Sequence, residues 1–189
     1  TEPSVIVVTG VEKDIDCNGN NSGEIDLTVG GGTGNFTFLW SNSDISEDVT
    51  SLLAGTYNVI VQDNGTCDVT LSFTIQEPAV LEYDLDITDI TCFGTQTGEI
   101  DLTLFGGTAP YNAFWTLSSG TQNSEDLINL FAGTYTCQIF DFNECVLEVT
   151  GTISEPTAIT LTTSPYTTPV TCFGESDGGV GVVASGGTP

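Results

Sequence analysis

Hydrophobic and polar residues alternate along much of the chain with a period of two. The clearest case is the run 24–29, in which Ile25, Leu27 and Val29 alternate with two acidic residues and a threonine. Such alternation is typical of a β-strand with one face buried and the other in water. Further strands are predicted at Val5–Val8, Phe36–Trp40, Tyr57–Val61 and Val69–Ile75. Gly-Gly-Thr and Asp-Asn-Gly turn signals separate these runs.

One pattern of residues occurs three times. It reads Cys-x-Gly, then Gly-x-Ile or Gly-x-Val, then Gly-Gly-Thr, and it occupies residues 17–33, 92–108 and 172–188. The dipeptide Glu-Pro closes the first two copies at residues 77–78 and 155–156. The sequence therefore predicts repeat one at 4–78, repeat two at 79–156, an incomplete repeat three at 157–189, and residues 1–3 as the tail of a preceding repeat.

The length of the repeat indicates the fold class. About seven short strands in about 75 residues, with no helical periodicity, favour an antiparallel, immunoglobulin-like β-sandwich. Each repeat carries its own core residues, so neighbours are not needed to complete a core. Like charges repel within about 8 Å at physiological salt. An all-β chain of tandem β-sandwich domains in an extended string is therefore predicted.

Four aromatic residues are predicted to lie in the sandwich cores. Trp40 and Trp115 occupy equivalent strand positions, and Tyr57 and Tyr135 each follow Ala-Gly-Thr in the manner of a tyrosine corner. An exposed platform that stacks against sugars would use the same residue types, and this alternative stays open.

The chain has six cysteines and no histidine, which favours an oxidising, exported environment over zinc binding. Equivalent cysteines in repeats one and two predict the disulfides Cys17–Cys67 and Cys92–Cys145. The alternative is free, buried thiols. Cys172 and Cys137 are predicted to be unpaired, because Cys172 has no later partner in the sequence and Cys137 has no counterpart in repeat one.

The charge is almost entirely of one sign. With 26 acidic residues against one basic residue, the formal net charge is −25, which argues against nucleic acids and anionic membranes as partners. Hard divalent cations are compatible with it, and Asp84, Asp86 and Asp89 lie close together after the first Glu-Pro, where they could bind Ca²⁺. The alternative is a solvated acidic surface.

No catalytic site is predicted, because the usual histidine base is absent. Glu24 and Asp26 share one strand face, as a glycosidase pair could, but Gly179 and Gly181 stand at their positions in repeat three. We therefore expect no enzyme, and no cofactor other than calcium.

Repeat two resembles the SprB repeat of very large adhesins. The resemblance rests on the following residues: Cys92, Gly94, Gly98, Ile100, Gly107, Thr108, Pro110, Tyr111, Trp115, Ala132, Gly133, Tyr135, Asp141, Cys145 and Pro156. It implies export by the type IX secretion system and display on the outer surface of gliding bacteria. There the full-length adhesin grips an extracellular surface or polysaccharide without inserting in a membrane.

The resemblance leaves three roles open for the chain. The repeats could form a stalk, in which each repeat contacts its neighbours in the chain. They could instead be modules that bind glycans or surfaces. They could also form an accessory domain of a secreted hydrolase.

Overall fold

The computed structural model describes residues 4–64 and 67–188, and in these ranges the chain forms β-strands and turns without a helix. Among these residues there is accordingly no helix that could span a membrane. Repeat one contains β1 (Ser4–Lys13), β2 (Gly23–Gly32), β3 (Thr37–Trp40), β4 (Val49–Leu52), β5 (Gly55–Gln62) and β6 (Asp68–Ile75). Repeat two contains β7 (Glu82–Thr88), β8 (Gly98–Phe105), β9 (Asn112–Leu117), β10 (Gly120–Asn123), β11 (Leu127–Leu130), β12 (Gly133–Phe140) and β13 (Val146–Ile153). Repeat three contributes β14 (Thr160–Thr168) and β15 (Gly179–Ser185).

Repeat one is a sandwich of two three-stranded sheets, with strand orders β1-β2-β4 and β3-β5-β6. Every pairing with a described register is antiparallel; for example, Ile25 lies opposite Glu12 of β1. The alternation predicted for β2 is confirmed, because Ile25 and Leu27 are buried while the acidic residues that alternate with them are exposed. Apolar side chains from both sheets form one core, which includes Trp40, Val59 and Ile75.

Repeat two has the same arrangement with one more strand. Its sheets have the orders β11-β8-β7 and β10-β9-β12-β13. Strand β10 is an edge strand that pairs with β9, and the two strands form a short hairpin in which Gly120–Asn123 lies opposite Phe114–Leu117. This hairpin coincides with the three residues by which repeat two exceeds repeat one between the tryptophan and the Ala-Gly-Thr-Tyr segment. The insertion therefore extends the edge of a sheet and leaves the core intact.

The chain divides into two compact units that do not follow the repeat boundaries. The first contains the residues up to Glu82 together with Leu104–Tyr111 and Phe140–Leu147. The second contains Tyr83–Thr103, Asn112–Ile139 and the residues from Glu148 onward. The two inserted segments of the first unit are loops of repeat two, and they carry the contacts considered below.

The Gly-Gly-Thr corner after β2 and β8 requires glycine for two reasons. Gly31 has a φ of 75° and Gly106 has a φ of 73°, a left-handed conformation that other residues adopt at a cost. A Cβ atom on Gly106 would also lie 1.7 Å from the carbonyl oxygen of Val80, and one on Gly31 would lie 2.0 Å from that of Val5. The corner is therefore the same close backbone contact in both repeats.

Candidate functional site

A buried aspartate fixes the turn between β12 and β13. Asp141 is 3% exposed. Its Oδ1 atom accepts hydrogen bonds from the backbone N–H groups of Asn143 and Cys145, both at 2.9 Å. Its Oδ2 atom accepts one from the N–H of Thr108, also at 2.9 Å. The carboxylate therefore holds the cysteine-bearing turn against the Gly-Gly-Thr corner.

A buried aspartate holds the equivalent turn of repeat one in the same way. Asp63 is 6% exposed, and its Oδ2 atom accepts hydrogen bonds from the N–H and the hydroxyl of Thr33 at 3.1 and 3.0 Å. Its Oδ1 atom accepts one from the N–H of Cys67 at 3.1 Å. In each complete repeat, the second cysteine thus lies at the end of the sandwich that carries the Gly-Gly-Thr corner.

The first cysteine of each repeat lies in a different turn, which the closing Glu-Pro dipeptide holds. The Oε2 atom of Glu77 accepts a hydrogen bond from the N–H of Gly19 at 2.8 Å, and the Oε2 atom of Glu155 accepts one from Gly94 at 2.7 Å. These glycines follow the first cysteines by two residues. This contact explains why Cys-x-Gly and Glu-Pro recur together, although they stand about 60 residues apart in the sequence.

A disulfide connects these two kinds of turn across consecutive repeats. Cys17 is bonded to Cys145, with 5.7 Å between their Cα atoms and a sequence separation of 128 residues. Beside it, the Nδ2 atom of Asn143 donates to the carbonyl oxygen of Asp16 at 2.8 Å and to the hydroxyl of Thr108 at 3.2 Å. The hairpin of repeat two that carries the second cysteine therefore docks on the first-cysteine turn of repeat one.

This connection corrects the pairing predicted from the sequence. Cys17 was expected to bond Cys67, and Cys92 was expected to bond Cys145. Both predicted disulfides are wrong in the structure, where Cys17 bonds Cys145 while Cys67 and Cys92 are exposed free thiols. A disulfide is present, but it links two repeats instead of closing one.

The length of β2 explains why Cys17 and Cys67 do not meet. Cys17 precedes β2, whereas the hairpin of Cys67 is held through Asp63 to Thr33, which follows β2. The ten residues of this strand span about 30 Å at about 3.3 Å each. The Cα atoms of a disulfide must lie within about 7 Å of each other. The equivalent cysteine positions of the two repeats fit either pairing, and the sequence carries no other signal that distinguishes them.

The remaining two cysteines differ in exposure. Cys172 is an exposed free thiol, whereas Cys137 is a free thiol on β12 that is fully buried. Burial raises the pKa of the Cys137 thiol from its ordinary value of 9.0 to about 11, against a smaller opposing effect of a hydrogen bond with the backbone of Phe114. Cys137 is therefore a packed core residue, and its raised pKa leaves little of the nucleophilic thiolate at neutral pH.

We therefore predict that Cys137 resists alkylation in the folded protein. At pH 8 a shift of about two pKa units lowers its thiolate fraction about 100-fold relative to an ordinary thiol. Iodoacetamide followed by peptide mass spectrometry should label Cys67, Cys92 and Cys172 at least this much faster. Labelling in urea is the control, because all four should then react alike. Equal rates in buffer would show that Cys137 is accessible.

The four predicted core aromatics fall into two groups. Trp40 and Trp115 are buried, with exposures of 2% and 0%, and their indole N–H groups donate to the carbonyl oxygens of Ser46 and Glu125. A buried indole has no face with which to stack on a sugar.

The tyrosines lie at the edge of the core rather than inside it. Both Tyr57 and Tyr135 are half-buried. Their hydroxyls donate to the carbonyl oxygens of Leu53 and Phe131, four residues upstream, at 3.0 and 2.9 Å. Each tyrosine therefore pins the turn before its strand, since its ring packs inward and its hydroxyl stays at the surface.

The carboxylates singled out in the sequence are exposed to solvent. Glu24 and Asp26 are both exposed. Within residues 4–64 and 67–188, no group of three or more acidic, cysteine or histidine side chains is placed to hold a metal ion. The calcium site predicted at Asp84, Asp86 and Asp89 is therefore not assembled. Hydrogen bonds from Ser154 instead engage Asp89 and hold the pKa of its carboxyl below the ordinary value.

Comparison with known proteins identifies the repeat. The family model described as the SprB repeat matches three segments, residues 9–44, 85–121 and 164–189. No curated protein sequence matches the chain.

Among solved structures, one described as the structural basis for Dscam isoform specificity aligns at 11% identity with a TM-score of 0.37. The alignment covers 82% of this chain and 46% of the other. Domains 4–9 of the surface layer protein SbsC align at 20% identity with a TM-score of 0.33, over 97% of this chain and 36% of the other. The chain thus spans less than half the length of these two structures.

Proposed function

Because the chain belongs to the SprB repeat family, we propose that it is a tension-bearing spacer of a bacterial cell-surface adhesin. In this role the repeats separate the cell from a distal adhesive region, and they take part in adhesion and gliding after export by the type IX system. The observation that carries the proposal is the Cys17–Cys145 disulfide, which joins repeat one to repeat two.

A disulfide between repeats suits a chain that is pulled from its two ends. Force that enters at residue 17 passes through the bond to residue 145 and bypasses the residues between them, so strands β2 to β12 are not stretched, whereas β1 and β13 lie outside the bond and bear the force. Structural disulfides also form and persist mainly in oxidising compartments, which supports an extracellular location. The charge of −25 keeps neighbouring copies apart and soluble.

Two further observations support a spacer over a glycan-binding module or a catalytic domain. Both tryptophans are buried, so the indoles do not provide a sugar platform. The acidic pairs on β2 and β8 lie on exposed strand faces, whereas a catalytic carboxyl acid needs the raised pKa of an enclosed cleft. In this proposal the repeats bind no substrate and catalyse no reaction.

Bead retention under flow distinguishes the spacer from the module. Beads coated with the chain should leave agarose, cellulose and glass surfaces at the same shear as beads coated with an acidic, inert protein of similar charge. Retention several-fold above that control would contradict the spacer. Loss of such retention in Phe142→Ser would then identify a binding surface at Phe142, whose side chain is 67% exposed.

A further inference from the structure

A groove lies beside the free thiol of Cys92, where repeat two ends and repeat three begins. It has a volume of about 410 Å³ and is lined by Thr91, Cys92, Phe93, Pro156, Ile159 and Thr188, among others. The apolar side chains that line it are accessible to solvent: Phe93 is 57% exposed and Ile159 is 70% exposed. Exposed apolar surface next to a free thiol suggests that a further part of the protein covers it.

The first junction of the chain shows what occupies such a position. There the hairpin at residues 141–145 lies against the first-cysteine turn of the preceding repeat, and Asp141 anchors that hairpin to the N–H of Thr108. Repeat three already has the matching corner. Its Gly187 N–H donates to the carbonyl oxygen of Thr157 at 2.8 Å, as Gly107 donates to Ala79 at 2.9 Å.

Thr188 therefore occupies the position at which Thr33 and Thr108 bind their hairpin aspartates. A hairpin anchored on Thr188 would hold its cysteine beside Cys92, just as the hairpin anchored on Thr108 holds Cys145 beside Cys17. The equivalence of Thr188 with Thr33 and Thr108 therefore indicates which segment occupies the groove.

We propose that the groove receives the second-cysteine hairpin of a completed repeat three, whose cysteine forms a disulfide with Cys92. Each first cysteine thus bonds the second cysteine of the next repeat, and the array is joined covalently at every junction. In the bond-forming step the two thiols lose two protons and two electrons to a small disulfide such as oxidised glutathione, which leaves as two thiols. This connectivity goes beyond the spacer role and does not depend on it.

The test completes repeat three with sequence from the chain itself. Residues 1–189 are followed by a copy of residues 110–156, in which the copy of Cys137 is replaced by Val, the residue at the equivalent position 59, so that the copy of Cys145 is the one copied cysteine. After refolding with oxidised glutathione, peptide mapping without reduction should show Cys92 bonded to the copied cysteine and Cys17 bonded to Cys145. The reaction of Cys92 with a maleimide should fall at least about tenfold relative to the original chain.

The test has two controls, one within the same molecule and one in a variant of it. Cys172 is a first cysteine with no following repeat, so it should stay reactive with the maleimide. Changing the copied cysteine to Ser should restore the reactivity of Cys92. A bond between Cys172 and the copied cysteine, or a free copied cysteine in a chain that has formed Cys17–Cys145, would overturn the proposal.

A second chain tests the proposal if the completed repeat three of the first chain does not fold. In it, residues 1–156 are followed by an intact copy of residues 79–156, so the surface that accepts the first-cysteine turn is the same at both junctions. Formation of Cys17–Cys145 together with a bond between Cys92 and the copied Cys145 supports the proposal. A free Cys92 in this chain overturns it, because the docking surface is then present and unused.

Discussion

Replacing Trp115 with Ala should lower the free energy of unfolding of repeat two by about 3–5 kcal/mol, the usual cost of removing a large core aromatic. The indole is fully buried between the sheets of repeat two, and its N–H donates to the carbonyl oxygen of Glu125 at 3.1 Å. The substitution therefore leaves a cavity and also removes the partner of a backbone acceptor.

The chain has two tryptophans, one in each complete repeat, so the effect can be measured for each repeat separately. In Trp115→Ala, the remaining fluorescence comes from Trp40 and reports on repeat one, while circular dichroism reports on all the strands. In urea the dichroism should acquire an early transition, and the Trp40 fluorescence should change near its original midpoint. Trp40→Ala is the matched control, in which the early transition belongs to repeat one. A Trp115→Ala chain whose dichroism follows the original curve would place the indole outside the core.

Replacing Asp141 with Ala should cost about 3–5 kcal/mol and should also hinder formation of the Cys17–Cys145 disulfide. The carboxylate accepts hydrogen bonds from three backbone N–H groups. Each buried donor left without an acceptor costs about 1–3 kcal/mol, and these three are only partly buried, so the lower end of that range applies to each. Without this anchor the hairpin no longer holds its cysteine beside Cys17, so the oxidised fraction should fall under the same glutathione conditions.

Asp63 provides the control, because it anchors the equivalent hairpin of repeat one, whose Cys67 is a free thiol. Asp63→Ala should destabilise repeat one and leave the Cys17–Cys145 bond intact. Urea unfolding and peptide mapping without reduction measure the two effects separately. Equal loss of the disulfide in both variants would show that Asp141 acts through general stability rather than by positioning the hairpin.

The local pattern of the sequence is sufficient to predict five of the six strands of repeat one and the burial of both tryptophans, whereas the short strand β4 was not predicted. Alternation with a period of two identifies β2 and β8, because each side chain there faces either the core or water. It does not show that the tyrosine hydroxyls stay at the surface, since a half-buried ring and a buried ring have the same pattern. The partners of Glu77 and Glu155 were also missed, because both contacts join turns about 60 residues apart.

The disulfide could not be predicted from the sequence for a geometrical reason. The positions of the cysteines in the sequence are the same whether each first cysteine bonds the second cysteine of its own repeat or that of the next repeat. The pairing is decided by the positions of the first-cysteine turn and the second-cysteine hairpin of a repeat. They lie at opposite ends of β2, about 30 Å apart by strand length. The end of the sandwich to which each turn belongs is set by the aspartate and glutamate contacts, and these became apparent only in the folded chain.

Stretching single molecules from their two ends tests most directly whether the covalent bond joins the repeats. In the oxidised protein, the Cys17–Cys145 bond bypasses 128 residues, so the fully unfolded chain should be shorter by about 450 Å than after reduction. Replacing both cysteines with Ser should give the longer length without reduction. A difference of about 350 Å would instead correspond to the within-repeat bonds Cys17–Cys67 and Cys92–Cys145. That result, or equal lengths before and after reduction, would contradict the covalent connection between repeats.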